Sequence, residues 1–286
     1  MEQLVTIAIP VFNAEKTIAL AIKSVLKQSY KNWELIIIND GSKDRSIKII
    51  HEFLDHRIRI VDDNINRGLI NRLNSIPTMA NGKYIARMDA DDIMHPERIA
   101  KQVYYMESNP DIDVVDCAIY TIDDVNQVKG IRNMEDLPKT KDALLFHCMF
   151  THPAILGKKE WFIKYPYDYN YYRAEDYELW LRAYDDSKYG RVKLPLLFYR
   201  EGNVNISNYI NSMKSVRKII RCYGPALVSP FDNKVAIFKS YIKQLTYLIF
   251  GLFKAQGLLV SRRNSKLSLD EQKRSAIIIV GVINYK

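Results

Sequence analysis

The sequence predicts an α/β protein: a mostly parallel sheet flanked by helices, followed by a helical C-terminal extension. Three observations predict it. Strand-like and helix-like segments alternate as far as Tyr120, the pattern of βαβ units. The strand-like runs at 5–10 and 34–39 are apolar throughout rather than alternating, as strands covered on both faces are. From about Ser207 the composition turns basic and helical in period, which sets that region apart from the catalytic-looking 1–207.

Each element has its own signal. Residues 5–10 read as a buried strand and 14–28 as a helix by apolar period. Residues 34–39 form a second strand, and Ser42 can cap a helix running to Leu54. A third strand covers 57–61. Residues 69–79 are helical in period, with Pro77 weakening the end. A fourth strand spans 83–88. Pro96 stands where helices begin, so a helix follows to about Ser108. A fifth strand covers 112–120. Beyond it lie a short helix at 142–149, a strand at 154–157, a helix at 175–184 and a strand at 192–199. The Tyr-rich stretch 165–172 reads as a surface loop or binding lip.

The chain has 286 residues, 48% apolar, 26% charged and 11% aromatic, which excludes wholesale disorder and collagen-like repetition. At ~150 residues per domain it holds one or two. Its three cysteines are far apart and form no CxxC pair, so neither a disulfide framework nor a zinc ribbon is expected. A reducing cytoplasm and no secretory signal are the corresponding expectations.

The net charge of +9 is unevenly placed, since residues 201–286 carry 14 Lys/Arg against 4 Asp/Glu. Such a tail suits a polyanionic partner. It is rich in lysine and apolar residues and lacks aromatics interleaved with arginine, so no nucleic-acid partner is expected. On a helix over 234–254, Phe238, Tyr241, Ile242, Leu245, Leu248, Ile249 and Leu252 share one face, with Lys239, Ser240, Lys243 and Lys254 opposite. That pattern suits a helix lying on an anionic membrane surface, while a helix packed on the domain with solvated lysines is the plainer alternative. The apolar stretch 245–253 falls short of the ~20 residues that span a bilayer.

Open α/β sheets bind ligands at the carboxyl ends of their strands. Polar residues follow three of the strands: Asn13, then Asn39-Asp40-Gly41-Ser42, then Asp89-Ala90-Asp91-Asp92. Three carboxylates within four residues repel one another unless a cation lies between them, and Mg²⁺ or a similar hard ion takes such oxygens together with a substrate's phosphates. A solvated, helix-capping turn is the alternative, weakened by the position directly after a buried strand. Arg67 and Arg72 flank Gly68 and could meet phosphate, or be solvated helix charges. Glu175-Asp176 precede an amphipathic helix and read either as favourable dipole chemistry or as a general base. Trp180 could face a sugar or be core. His152 and the lone His147 are weak signals. No GxGxxG, P-loop or GxSxG pattern is present.

In order along the chain, these clusters resemble the family 2 glycosyltransferases of the GT-A, Rossmann-like fold. The resemblance runs through Val5-Thr6-Ile7-Ala8-Ile9-Pro10-Val11-Phe12-Asn13, then Asn39-Asp40-Gly41-Ser42, then Asn66-Arg67-Gly68-Leu69 with Leu73-Asn74. It continues through the strand ending in Asp89-Ala90-Asp91-Asp92, the segment Ala174-Glu175-Asp176-Tyr177 and the pair Tyr199-Arg200, covering about residues 4–207. It implies a non-processive, inverting, metal-dependent enzyme that moves one sugar from a nucleotide-sugar, a UDP-sugar, to a glycan or lipid-linked acceptor in cell-surface polysaccharide synthesis. Pro10, Val11, Asn13, Gly68, Arg72, Asp89 and Ala90 would line the nucleotide pocket, with Asp40 on the uracil. Asp91, with Asp89, would hold Mn²⁺ or Mg²⁺. Asp176 would be the base and Glu175 its less favoured alternate. His152, Trp180 and Arg182 would stand on the acceptor side. The implied location is cytoplasmic, peripheral on the inner face of the membrane. Gly202 stands where the family often has histidine, and there is no Gln-x-x-Arg-Trp motif of the processive polymerases. The rivals are a GT-A module that binds nucleotide-sugar without turnover, and a glycoside hydrolase using Asp91 and Asp176.

Overall fold

The computed structural model describes residues 2–146, 149–201, 205–253 and 255–285. His147, Cys148, Gly202, Asn203 and Lys254 lie outside these described residues. β1 (Val5–Val11) is buried over its whole length, and its side chains alternate between two cores. Ile7 and Ile9 join Ile18, Ile22 and Val25 of α1 (Ile18–Leu26) on one face, while Ala8 joins the core on the other. β2 (Trp33–Asn39) repeats the division, with Leu35 and Ile37 to the first side and Ile36 and Ile38 to the second. This is why both runs read as continuously apolar: each face of the sheet meets helices.

α2 (Ser46–Ile50), β3 (Ile58–Asp62), α3 (Leu69–Met79), β4 (Tyr84–Arg87), the short β5 (Ile93–Met94) and α4 (Arg98–Ser108) follow. β6 (Val114–Ile122), β7 (Val128–Arg132), β8 (Leu156–Lys158), α5 (Lys159–Lys164), α6 (Glu175–Ala183) and β9 (Tyr189–Arg200) complete the sheet region. The strand order is β3-β2-β1-β4-β8-β6-β9-β5, with β7 paired to β6. β3, β2, β1 and β4 run parallel, as does the β6–β9 pair, whereas β8, β7 and β5 pair antiparallel with their neighbours. The parallel half therefore brings its strands' carboxyl ends to one edge, as the alternation predicts, and the antiparallel half extends the sheet.

Several expectations change in detail. Ser42 caps no helix: its hydroxyl accepts the Asn13 N–H at 3.0 Å, and α2 starts only at Ser46, whose N–H bonds to Asp44 at 2.9 Å. α2 stops well before Leu54, which is fully solvated. β5 and β7 carry no legible signal because they are short and take their order from partner strands. The Tyr-rich stretch is not a plain surface loop: Tyr165, Tyr167 and Tyr171 are buried, and only Tyr169 and Tyr172 open outward.

The C-terminal region comprises α7 (Ile206–Leu227), α8 (Pro230–Leu252), α9 (Gln256–Ser261) and α10 (Leu269–Ile283). α7 sends Ile219 into the second core, and α10 buries Ile279 and Val282 against Tyr120 and Phe198. Ser265 bridges to Ile131 of β7. α8 packs through Ala236, Ser240 and Tyr247, so that its apolar stripe of Phe238, Tyr241, Ile242, Leu245, Ile249 and Leu252 faces outward. Among the described residues, no helix is long and apolar enough to cross a membrane.

Candidate active site

The carboxyl ends of β1, β2 and β4 meet at one edge of the sheet. A cleft of about 720 Å³ lies there, walled by Pro10 and Val11 at the end of β1 with Phe12 beyond it, Asp40 after β2, Gly68 before α3, Arg87 at the end of β4 with Asp89 beyond it, and Glu175 and Asp176 of α6. His152, Tyr172, Arg173, Tyr199, Glu201 and Arg263 close its far side.

Asp40 is held by three donors. Its Oδ1 accepts the Arg67 N–H at 2.8 Å and Arg72 Nε at 2.7 Å, and its Oδ2 accepts the Gly68 N–H at 3.1 Å. Two positive-φ glycines make this possible. Gly68, at φ +83°, turns its N–H toward the carboxylate, and a Cβ on Gly41, at φ +71°, would meet Asn66 N at 2.8 Å. A carboxylate has about four acceptor positions, so one remains on Oδ2. Arg72 also lines the cleft, but it is buried and four of its five N–H groups already go to Asp40, Asp63 and the Ile65 carbonyl. Arg67 likewise donates its Nε to Asp63 at 2.8 Å. Asn13 does not line the cleft; its side-chain oxygen accepts the Lys43 N–H at 2.8 Å, pinning the turn after β2. Phe12, half exposed, takes its place on the wall.

The acidic cluster converges. One carboxylate oxygen each from Asp89, Asp91 and Asp92 lie within 4.8 Å of one another. Asp92 is buried; Oδ1 accepts the Arg200 N–H at 2.8 Å, while Oδ2 has no partner. Burial, then the charges of Asp91 and Asp89, push its carboxyl well above the usual range. Asp91 is exposed beside the cleft wall formed by Asp89, yet the protein mass around it and the neighbouring Asp89 push it up to about 6. An orphaned buried oxygen and three mutually repelling carboxylates fit a divalent cation, and an all-oxygen donor set is that of Mg²⁺ or Mn²⁺. Asp89, Asp91 and Asp92 would hold it. Ala90 only spaces these acids and does not line the cleft.

Arg87 is the residue the sequence reading missed. It is buried and chelates Asp89 through both terminal nitrogens, at 2.9 and 2.6 Å. Its charge also reaches Glu175, Asp176 and Tyr167. The signal was present, a basic residue in an otherwise apolar strand end. Arg200 locks the acid loop from outside, donating Nε to the Asp91 carbonyl at 2.8 Å. Glu201, ion-paired with Arg132, and Arg263 reach the cleft from distant segments that no local pattern connects.

Glu175 and Asp176 occupy the first turn of α6, where the helix dipole favours negative charge. Glu175 is buried, with Oε2 lacking a partner. Burial and then the charge of Asp176 push it up to about 7. Burial raises Asp176 too, partly offset by the Tyr177 N–H and Arg87. Both acids of the pair are thus held above the ordinary carboxylate range. His152 lines the cleft, bonded to the Tyr167 hydroxyl at 2.8 Å, and burial holds its imidazole well below its ordinary value and neutral.

Two acceptor-side expectations are corrected. Trp180 is fully buried, stacked on Trp161 at 5.7 Å and edge-on to Phe150 at 4.9 Å, because it faces inward one turn after Asp176. Arg182 pairs with Glu178 at 2.9 Å and with the Pro166 carbonyl at 2.6 Å, away from the cleft.

Comparison with known proteins agrees with this geometry. Residues 6–173 match the model of "Glycosyl transferase family 2". Putative glycosyltransferase EpsE of Bacillus subtilis is 33% identical over 188 residues, covering 64% of this chain and 67% of its own length. UDP-Glc:alpha-D-GlcNAc-diphosphoundecaprenol beta-1,3-glucosyltransferase WfgD of Escherichia coli is 28% identical over 255 residues, covering 88% of this chain and 95% of its own. In fold, the chain is similar to the mannosyltransferase PcManGT of Pyrobaculum calidifontis, solved with GDP-Man and Mn²⁺, at TM-score 0.62 and 14% identity over 99% of this chain and 86% of that one. A family match over more than half the chain, on a GT-A sheet whose acidic edge faces a carboxylate at a helix start, makes this protein a member of glycosyl transferase family 2.

Proposed function

We propose that this glycosyltransferase moves a single sugar from a UDP-sugar to a hydroxyl of a lipid-linked glycan, with inversion, during assembly of a cell-surface polysaccharide. The observation that carries the reading is the pairing of Asp89 and Asp176 on opposite parts of one cleft, with Asp91 and Asp92 gathered beside Asp89. The remaining acceptor position on Asp40 Oδ2 suits the imide N–H of uracil. Pro10, Val11 and Gly68 bound the nucleotide. Asp89, Asp91 and Asp92 would hold a divalent cation, whose charge would offset that of the diphosphate. Asp176 takes the proton of the acceptor hydroxyl while its oxygen bonds to the anomeric carbon. The bond from that carbon to phosphate breaks, and its electron pair leaves with the nucleoside diphosphate. One displacement inverts the centre. Glu175, protonated up to about pH 7, is the poorer base.

The names of relatives support the donor and acceptor: WfgD is named for UDP-Glc and a diphosphoundecaprenol-linked acceptor, and PcManGT was solved with a sugar nucleotide and Mn²⁺. The outward apolar stripe of α8 supports a peripheral place on the inner face of the membrane. Thermal denaturation with UDP-, GDP- and dTDP-sugars, each with and without Mn²⁺, tests the reading. Metal-dependent stabilisation by a UDP-sugar is expected; no response to any nucleotide would overturn it.

A further inference from the structure

A second cavity, of about 970 Å³, opens behind the first between α6, α7 and α8. Arg173, Asp176 and Arg263 line both cavities, so Asp176 stands in the partition between them. A base that deprotonates an acceptor must face the donor on one side and the acceptor on the other. We propose that this second cavity seats the acceptor, a lipid whose phosphate or diphosphate head lies on Lys239, Lys243 and Arg263 and whose tail lies along α7. The proposal rests on the reading of Asp176 as the base.

The charge pattern carries it. Lys239 and Lys243 are one helical turn apart on α8, on the same face, where like charges repel. Neither forms an ion pair among the described residues, and Asp176 is the sole carboxylate on the cavity wall. Arg263 joins them, steadied by the Tyr247 hydroxyl. Arg173 adds a fourth cation at the partition from a left-handed backbone, φ 64°, which side-chain-bearing residues seldom adopt. With Glu201 3.9 Å from Arg263 as a second counter-charge, four cations still stand against two acids, an excess that forms a site for a polyanion. Opposite the lysines, Met213, Val216 and Ile220 make an apolar stripe along α7 at three- and four-residue spacing. A free phosphate or sugar phosphate has no use for that stripe; an amphiphilic phosphate uses both walls.

Calorimetric titration of the full chain with farnesyl diphosphate, inorganic pyrophosphate and farnesol, below the micellar range, tests this. Farnesyl diphosphate should bind at least tenfold more tightly than pyrophosphate, and farnesol should not bind. The double substitution Lys239→Ala and Lys243→Ala, at solvated positions, should weaken farnesyl diphosphate at least tenfold, with circular dichroism unchanged. Equal affinity for pyrophosphate, or indifference to the double substitution, overturns the proposal. A parallel UDP–Mn²⁺ titration reads the first cavity alone. Lysine-dependent binding of farnesyl diphosphate by a chain that ignores UDP would keep the lipid-phosphate site and discard the UDP donor.

Discussion

Burial raises both adjacent carboxyls at the start of α6, and the charge of Asp176 adds to the rise at Glu175. Asp176→Asn should lower kcat by about 10²–10⁴, the usual worth of a general base, while UDP–Mn²⁺ affinity stays within a few fold. Glu175→Gln should retain transfer. Its signature lies in stability. A carboxyl whose folded value is about 7, above its ordinary 4.5, favours folding in the protonated form. That contribution is complete below the ordinary value and is lost as pH rises through about 7. A neutral glutamine escapes the loss, by at most about 3 kcal/mol. Glu175→Gln should accordingly raise Tm at pH 8 relative to wild type and leave it nearly unchanged at pH 4.5; an equal shift at both pH values would contradict the assignment. Asp40→Ala would leave Nε of the buried Arg72 without its acceptor while Asp63 still pairs with the guanidinium, at a cost of about 1–3 kcal/mol, and lower Tm at every pH.

At the scale of elements, legibility followed burial. β1 and β2, covered on both faces, announce themselves as apolar runs, and their polar ends mark the site because parallel strands deliver their carboxyl ends to one edge. Asp40 and Asp89 were found in this way, whereas the Glu175-Asp176 pair was found as carboxylates preceding an amphipathic helix. β5 and β7 are ordered by β9 and β6 and have no independent period to read. Residue type alone also misplaced Trp180, Arg182 and Asn13, since a side chain's direction depends on which face of its helix or turn packs. Trp180 tests the point. If it is core, Trp180→Ala should cost about 3–5 kcal/mol and lower Tm on the order of 10 °C. Trp180→Phe should recover most of that. A sugar platform would instead raise the acceptor KM in both variants with little change in Tm.

For the molecule as a whole, the question is what the basic C-terminal region does with its apolar stripe. The sequence separated its lysines from its apolar face but could not say which way either points, because orientation depends on which face of α8 packs on α7. In the fold, Lys239 and Lys243 turn inward to the second cavity while Ile242, Leu245 and Ile249 face solvent. Removing residues 208–286 is a poor test of membrane binding, since it would strip Ile219 from the second core and Ile279 and Val282 from Tyr120 and Phe198 and expose both clusters. The triple substitution Ile242→Ser, Leu245→Ser and Ile249→Ser touches only the outward face. With each side chain about half exposed, inserting one into the interface is worth about 1 kcal/mol, so the three together should weaken partitioning roughly 100-fold. In liposome flotation, wild type should rise with anionic vesicles and the triple variant should stay at the bottom. Because the stripe is apolar, wild-type flotation should largely survive 0.5 M salt, at which lysine attraction alone would be screened. Flotation abolished by salt yet indifferent to the triple substitution would move the membrane contact off α8 and onto scattered surface charge.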